Sequence, residues 1–206
     1  MDVKEKVMEE FIKQFIKKDC KDILVDDIAF NIGMSKRTIY ENFHSKNEII
    51  KQTLKHYLNL EHERILTLLK EESNPLRRIL ITSYSFLHSA SQISLPRLYN
   101  LKKQYPEIAE ELIDIQHTFV DNVILNSYLQ AQKEGYIFKE IDPVFLITLL
   151  LAGERDPRQK TVSFLGKEFD TIKLFGAHFF TIIRGVSTLK GIEICDKFYT
   201  EWKNLF

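Results

Sequence analysis

The stretch VDDIAFNIGMSKRTIYENFHSKNEII, residues 25–50, decides the reading of the fold. Apolar Ile28, Ile32, Ile39 and Phe43, small Ala29 and Gly33 fall at the spacing that two short, steeply crossed helices require. A helix is predicted over residues 25–32. Gly33 ends it, because a residue without a Cβ takes the left-handed conformation that a tight stop needs. The next helix begins after Ser35. With Ile39 and Phe43 pointing inward, Lys36, Arg37, Tyr40 and Asn42 lie on outer faces.

Working outward, Val7, Phe11, Ile12, Phe15 and Ile16 recur at three-to-four spacing among Lys and Glu, which predicts an amphipathic helix over residues 2–18. Asp2 with Glu5 resembles a capping box at its start. Ser45 and Glu48 form an S-x-x-E box, so a further helix starts there and runs to about residue 72. Pro75 suits a first helical position before a helix over residues 76–93, and Pro96 and Pro106 punctuate the next stretch. A long helix over residues 106–134, divided by a bend, closes at Gly135. Asp142-Pro143 opens an apolar helix that fades at Gly153. Residues 154–167 read as a loop, and residues 168–189 and 192–204 as the last two helices, separated by Lys190 and Gly191.

Seven Gly and five Pro occur in 206 residues, and no Gly lies between Gly33 and Gly135. Strand-and-turn architectures need both far more often, so the expected class is all-α. The expected architecture is a three-helix head carrying a helix-turn-helix, residues 1–50, joined by a long helix to a helical-bundle body, residues 51–206. Lys plus Arg equals Asp plus Glu at 29 each, so the overall charge predicts no polyanion partner and any DNA contact must come from a local patch. Cys20 and Cys195 form no CxxC or metal spacing, which favours a reduced, cytoplasmic setting. The opening residues alternate charge with apolar side chains and resemble neither a signal peptide nor a membrane span, so no membrane partner is expected.

The outer face after Ser35 combines cations with hydrogen-bond donors. Arg37 or Lys36 can donate to guanine O6 and N7, so base reading rests mainly on these two. Thr38, Tyr40, His44 and Lys46 can donate to phosphates, which fix register without specifying bases. Asn42 completes the set of side chains near the groove.

Residues 25–50 as they stand resemble the N-terminal pattern of the TetR family of bacterial regulators. The resemblance covers roughly the first quarter of the chain, with the remainder similar only as an all-helical body of suitable length. It implies a homodimer with a ligand pocket in each body. Two positions depart from the family pattern. Leu24 stands where a helix-capping Thr that also touches phosphate is frequent, and Arg37 stands where Gly is frequent. Losing a capping hydroxyl typically costs about 1 kcal/mol unless Asp22 or Asp26 supplies a substitute oxygen.

In the body, Leu174, Phe175, Phe179, Phe180, Ile182, Ile183 and Val186 spread around most of one helix, leaving Lys173, His178, Thr181 and Arg184 polar. Such a helix suits burial against its own body on one side and a twin on the other. The candidate dimerisation residues are therefore Phe175, Phe179, Ile182, Ile183 and Val186, with Phe198 and Trp202 extending the surface. Tyr84, Phe86, His88, Tyr99, His117 and Tyr128 give the middle helices aromatic walls with polar tips, so a pocket for an unknown small-molecule effector is sought among Tyr84, His88, Tyr99, His117 and Tyr128.

No phosphate loop, HExxH, nucleophile elbow or Gly-rich dinucleotide turn is present, so neither enzymatic activity nor a cofactor is expected. Glu41 and His44 match the E-x-x-H spacing of carboxylate metal bundles, but there is no second copy and no metal site is expected. The function expected is a ligand-responsive repressor that binds a pseudo-palindromic double-stranded DNA operator as a homodimer. The competing class is a helical interaction module whose head no longer binds DNA, since Asp26, Asp27, Glu41 and Glu48 offset the local cations.

Overall fold

Short polar side chains set most helix starts in this chain. The computed structural model describes residues 2–92, 95–152, 161–164 and 167–202, and the side chains of residues 2–86, 100–150, 167–170 and 173–201. Helix α1 spans Val3–Phe15. The Asp2 carboxylate accepts from the Val3 amide at 2.6 Å, and Glu5 accepts from the Asp2 amide at 2.9 Å, so the capping box forms. A 3₁₀ turn over Cys20–Asp22 leads to α2, Val25–Asn31. Helix α3, Lys36–Asn42, is capped by Ser35, whose hydroxyl accepts from the Thr38 amide at 3.0 Å.

Helix α4, Lys46–Leu69, also starts on a serine, since Ser45 Oγ accepts from the Glu48 amide at 3.1 Å. The expected reciprocal bond is displaced by one residue. Glu48 accepts from the His44 amide at 2.7 Å rather than from that of Ser45. The helix ends three residues short of 72, in turns closed by the Lys70 and Glu72 amides.

The described residues divide into two compact units, one within Met1–His62 and Gln92–Gln116, the other within Glu63–Ser91 and His117–Phe206. In the first, Val7, Phe11, Phe15, Ile28, Ile39, Phe43, Ile49 and Ile50 are fully buried together. Burying such side chains stabilises by roughly 1.5–3 kcal/mol each. Helix α5 spans Pro75–Gln92, α6 spans Leu95–Gln104 and α7 spans Pro106–Val120. Leu101, Ile108 and Ala109 from α6 and α7 join the same core. Asn100 donates to Asp19 at 2.8 Å, and Lys51 and Lys55 both bind the Glu111 carboxylate.

In the second unit, α5 is capped by Asn74, whose side-chain oxygen accepts from the Leu76 and Arg77 amides at 3.0 Å. Where the sequence predicts one helix divided by a bend, a π turn over Asp121–Leu125 follows α7, and α8 spans Asn126–Lys133. Gly135 stops it at φ +76°. Helix α9, Pro143–Ala152, is started by Asp142, which accepts from the Val144 and Phe145 amides. Helix α10 spans Thr171–Gly185 and α11 spans Leu189–Trp202. The core gathers Ile65, Leu69, Leu76, Ile79, Leu80, Tyr128, Ala131, Ile137, Leu146, Ile183, Cys195 and Phe198.

Two expectations for the C-terminal third are corrected. Within the predicted loop and the predicted helix start lies an antiparallel hairpin, β1 Thr161–Phe164 and β2 Lys167–Asp170, in register Phe164↔Lys167. Thr161, Val162, Phe164 and Phe169 have the β-branched or aromatic character that strands favour, and α10 begins only where Asp170 caps it by accepting from the Lys173 amide. The break between the last two helices falls at residues 186–188, not at Lys190 and Gly191. There the Ile137↔Ser187 bridge takes backbone partners from the helix, and Thr188 accepts from the Gly191 amide at 3.3 Å while donating to the Gly135 carbonyl at 2.7 Å. Gly191 lies inside α11, and glycine is needed there because a Cβ would run into the Tyr136 carbonyl oxygen and come within 2.9 Å of Ser187 Cβ. With 79% of the described residues helical, the hairpin leaves the all-α class intact.

Candidate nucleic-acid interface

The turn between α2 and α3 is built by backbone geometry. Gly33 sits at φ +66°, its amide donates to the Phe30 carbonyl at 3.2 Å, and the Met34 amide donates to the Ala29 carbonyl at 2.9 Å. These two bonds form a Schellman stop, which aims the chain directly into the Ser35 cap of α3. Ile39 and Phe43 anchor α3 from beneath, both fully buried. The start of α2 has no such support. Leu24 occupies its N-cap with no side-chain hydrogen bond, so neither Asp22 nor Asp26 replaces the missing hydroxyl.

The cations of this face are held by neighbouring groups. Lys36 Nζ lies 3.0 Å from the Asp26 carboxylate, a tie between α3 and α2 that raises the lysine pKa first through the hydrogen bond and then through the opposite charge. Arg37 Nε donates to Glu41 at 3.0 Å, with the arginine side chain 89% exposed and the glutamate 59%. Thr38 Oγ1 lies 2.8 Å from Ser35 Oγ, and Asn42 Nδ2 donates back to the Thr38 carbonyl at 2.8 Å. Tyr40 and His44 are exposed. Lys46 Nζ donates to the Lys21 carbonyl at 2.9 Å, and partial burial lowers its pKa from the ordinary lysine value.

The structure thus brings Lys36, Arg37, Thr38, Tyr40 and Asn42 onto one short helix, while His44 and Lys46 flank its C-terminal end. Residues 1–50 hold nine Lys and Arg against ten Asp and Glu, so attraction to a polyanion rests on placement and not on net charge. The ion pair between Arg37 and Glu41 was not drawn from the sequence, although its i, i+4 spacing is the signal that marks it. The Lys21 carbonyl beside Lys46 has no such signal, because it comes from a turn 25 residues earlier.

The body candidates are placed less closely. Tyr128 is fully buried in the second core and Tyr84 packs against that core, whereas His117 is exposed. The side chains of His88, Tyr99 and Trp202 lie outside the described residues. Tyr128 Oη, Thr82 Oγ1 and His178 Nε2 are buried without a hydrogen-bond partner among the described residues. Of the dimerisation candidates, Ile183 and Phe198 are spent on their own core, and Phe175, Phe179, Ile182 and Val186 keep part of their surface exposed. Among the described residues no group of three or more His, Cys, Asp or Glu is placed to hold a metal, and no helix is long and apolar enough to cross a membrane.

The described residues form an all-α chain whose second and third helices make a helix-turn-helix with Lys36 and Arg37 on its outer edge. Its fold is that of the TetR-family transcriptional regulators. A TetR-family regulator, PfmR from Thermus thermophilus, is similar at TM-score 0.60 and 19% identity, over 88% of this chain and 99% of that one. A candidate transcriptional regulator from Saccharomonospora viridis, solved with choline, is similar at TM-score 0.66 and 18% identity, over 96% and 95%. AibR, solved with isovaleryl coenzyme A and operator DNA, is similar at TM-score 0.61 and 13% identity, over 90% and 98%. No protein-family profile and no curated protein sequence matches the chain.

Proposed function

We propose that the protein is a ligand-responsive transcriptional repressor that binds a pseudo-palindromic operator as a homodimer. The observation that carries this reading is the Schellman-turned α2–α3 pair, which buries Ile39 and Phe43 while leaving Lys36, Arg37 and Tyr40 outward on α3. Residues 1–50 serve DNA and residues 51–206 serve effector binding and dimerisation. Lys36 and Arg37 read bases, Thr38, Tyr40 and Asn42 support that edge, and His44 and Lys46 hold the backbone.

Two recognition helices must enter successive major grooves about 34 Å apart, which a dimer provides. The exposed parts of Phe175, Phe179, Ile182 and Val186 supply apolar surface for a twin. Similar folds carry choline or an acyl coenzyme A and, in one case, operator DNA. The unpartnered hydroxyls of Tyr128 and Thr82 give a buried effector groups to bond, and an effector that prefers one head separation shifts the dimer toward or away from DNA.

Selection of genomic fragments on the purified protein tests the reading. Enriched fragments should share an inverted repeat whose half-sites are one helical turn, or a multiple, apart. Recovery of unrelated sequences, with no enrichment over input, would leave the head as an interaction module.

A further inference from the structure

We propose that Glu41 is a positioning residue for sequence reading, holding the Arg37 guanidinium end-on to a guanine. The proposal rests on the DNA-binding reading above and deepens it. Arg37 carries five N–H donors, and the Nε–H is committed to Glu41 at 3.0 Å. The two terminal nitrogens have no partner among the described residues, and the side chain is 89% exposed. The terminal fork is therefore left facing outward, and it is this fork that matches the paired acceptors O6 and N7 of guanine. A free arginine would reach the groove with several rotatable bonds to immobilise, whereas one fixed through Nε has already lost much of that freedom.

Fold stability gives no reason for this pair. Exposed ion pairs contribute roughly 0–1 kcal/mol. The order Arg-then-Glu is the less favourable i, i+4 orientation. Lys36 and Arg37 stand in the first turn of α3, where the helix dipole disfavours cations, and Glu41 stands in the last turn, where it disfavours an anion. A helix whose charges run against its own dipole has given up local electrostatics, which is the mark of residues placed for a ligand. Glu41 also stands among groups meant to approach phosphate, and a carboxylate there weakens contact with every duplex alike. Its presence is accounted for if it raises discrimination while lowering overall affinity.

The experiment compares wild type, Arg37→Ala, Glu41→Ala, Glu41→Gln and the double variant, each by randomised-duplex selection and by titration with random-sequence duplex across a salt series. Arg37→Ala should erase a guanine preference at one operator position, by about tenfold. Glu41→Ala should weaken the preference at that same position, raise affinity for random duplex and leave the melting temperature within a degree or two. Glu41→Gln keeps an oxygen for Nε and should restore part of the preference, and the double variant should match Arg37→Ala at that position. If wild type binds duplex with steep salt dependence while Glu41→Ala leaves the guanine preference intact, or shifts a different position, the positioning role is wrong and the DNA-binding reading stands. If wild type binds no duplex, both fall.

Discussion

The unit that holds the helix-turn-helix and the unit that holds the C-terminal helices each stop a helix on a left-handed glycine, Gly33 and Gly135, but the second also contains a glycine that a distant neighbour demands. In the first, Gly33 acts alone, through a left-handed φ of +66° with open space around its missing Cβ. In the second, Gly191 lies inside a helix and is required by a neighbour, the Tyr136 carbonyl 55 residues earlier. One glycine answers to its own backbone and the other to a distant segment of chain. Local backbone rules set Gly33 and Gly135 alike, and a long-range contact sets Gly191.

Substitutions sharpen or break that contrast, beginning with the largest. Phe43→Ala removes a fully buried ring that anchors α3 and should destabilise by roughly 3–5 kcal/mol in urea unfolding. A loss under about 1 kcal/mol would mean that α3 is not held by its core face. Gly191→Ala should cost roughly 1–3 kcal/mol through overpacking against Tyr136 and Ser187, with the loss confined to the second unit in hydrogen exchange. Gly33→Ala should cost about 1–2 kcal/mol from φ alone, and Gly33→Asn less, since asparagine tolerates the left-handed region. If both glycines behaved alike across Ala and Asn, the distinction between backbone and packing would not hold.

A fourth prediction concerns pH. Burial pushes the Cys20 thiol from 9.0 up to about 12. The unfolded chain therefore loses this proton first, so the contribution is complete below pH 9 and is lost as pH rises from 9 toward 12. Unfolding midpoints of wild type should fall more steeply over that window than those of Cys20→Ala, and parallel curves would contradict it. The smallest effect is expected at Tyr128→Phe. Its buried hydroxyl has no partner among the described residues, so removal should change stability by under about 0.5 kcal/mol or raise it slightly. A loss of several kcal/mol would show that the hydroxyl is bonded within the fold.

The same contrast explains what was legible in the sequence. Asp2 and Glu5, Ser35 and Gly33 all act within four residues, and each performs the expected role. The break before α11 depends on partners far along the chain, Tyr136 and Ile137, and no periodicity reports such contacts, whereas the hairpin pairs within ten residues but its four-residue strands are too short to show an alternating pattern. The placement of Lys36, Arg37, Thr38, Tyr40 and Asn42, the proposed reading edge, on one helix could be drawn from spacing because a seven-residue helix with one buried face leaves little choice. Two features of that edge came only with the structure. Lys46 turns its ammonium to the Lys21 carbonyl, and the α2 N-cap at Leu24 is left without any side-chain substitute. In the proposed repressor both place more of the burden of DNA affinity on α3 and on the pairing of two heads.

The central claim is that this short helix meets DNA through its cations despite a head with no excess of positive charge. Titrating a random-sequence duplex with wild-type protein between about 50 and 200 mM salt tests it, since each neutralised phosphate adds about −0.9 to the slope of log affinity against log salt. On random duplex, which offers no operator bases, Lys36 falls to phosphate like Lys46, and the account predicts a slope of about −5 or steeper, made shallower by Lys36→Ala or Lys46→Ala. A slope near zero, or variants that leave it unchanged, would contradict it.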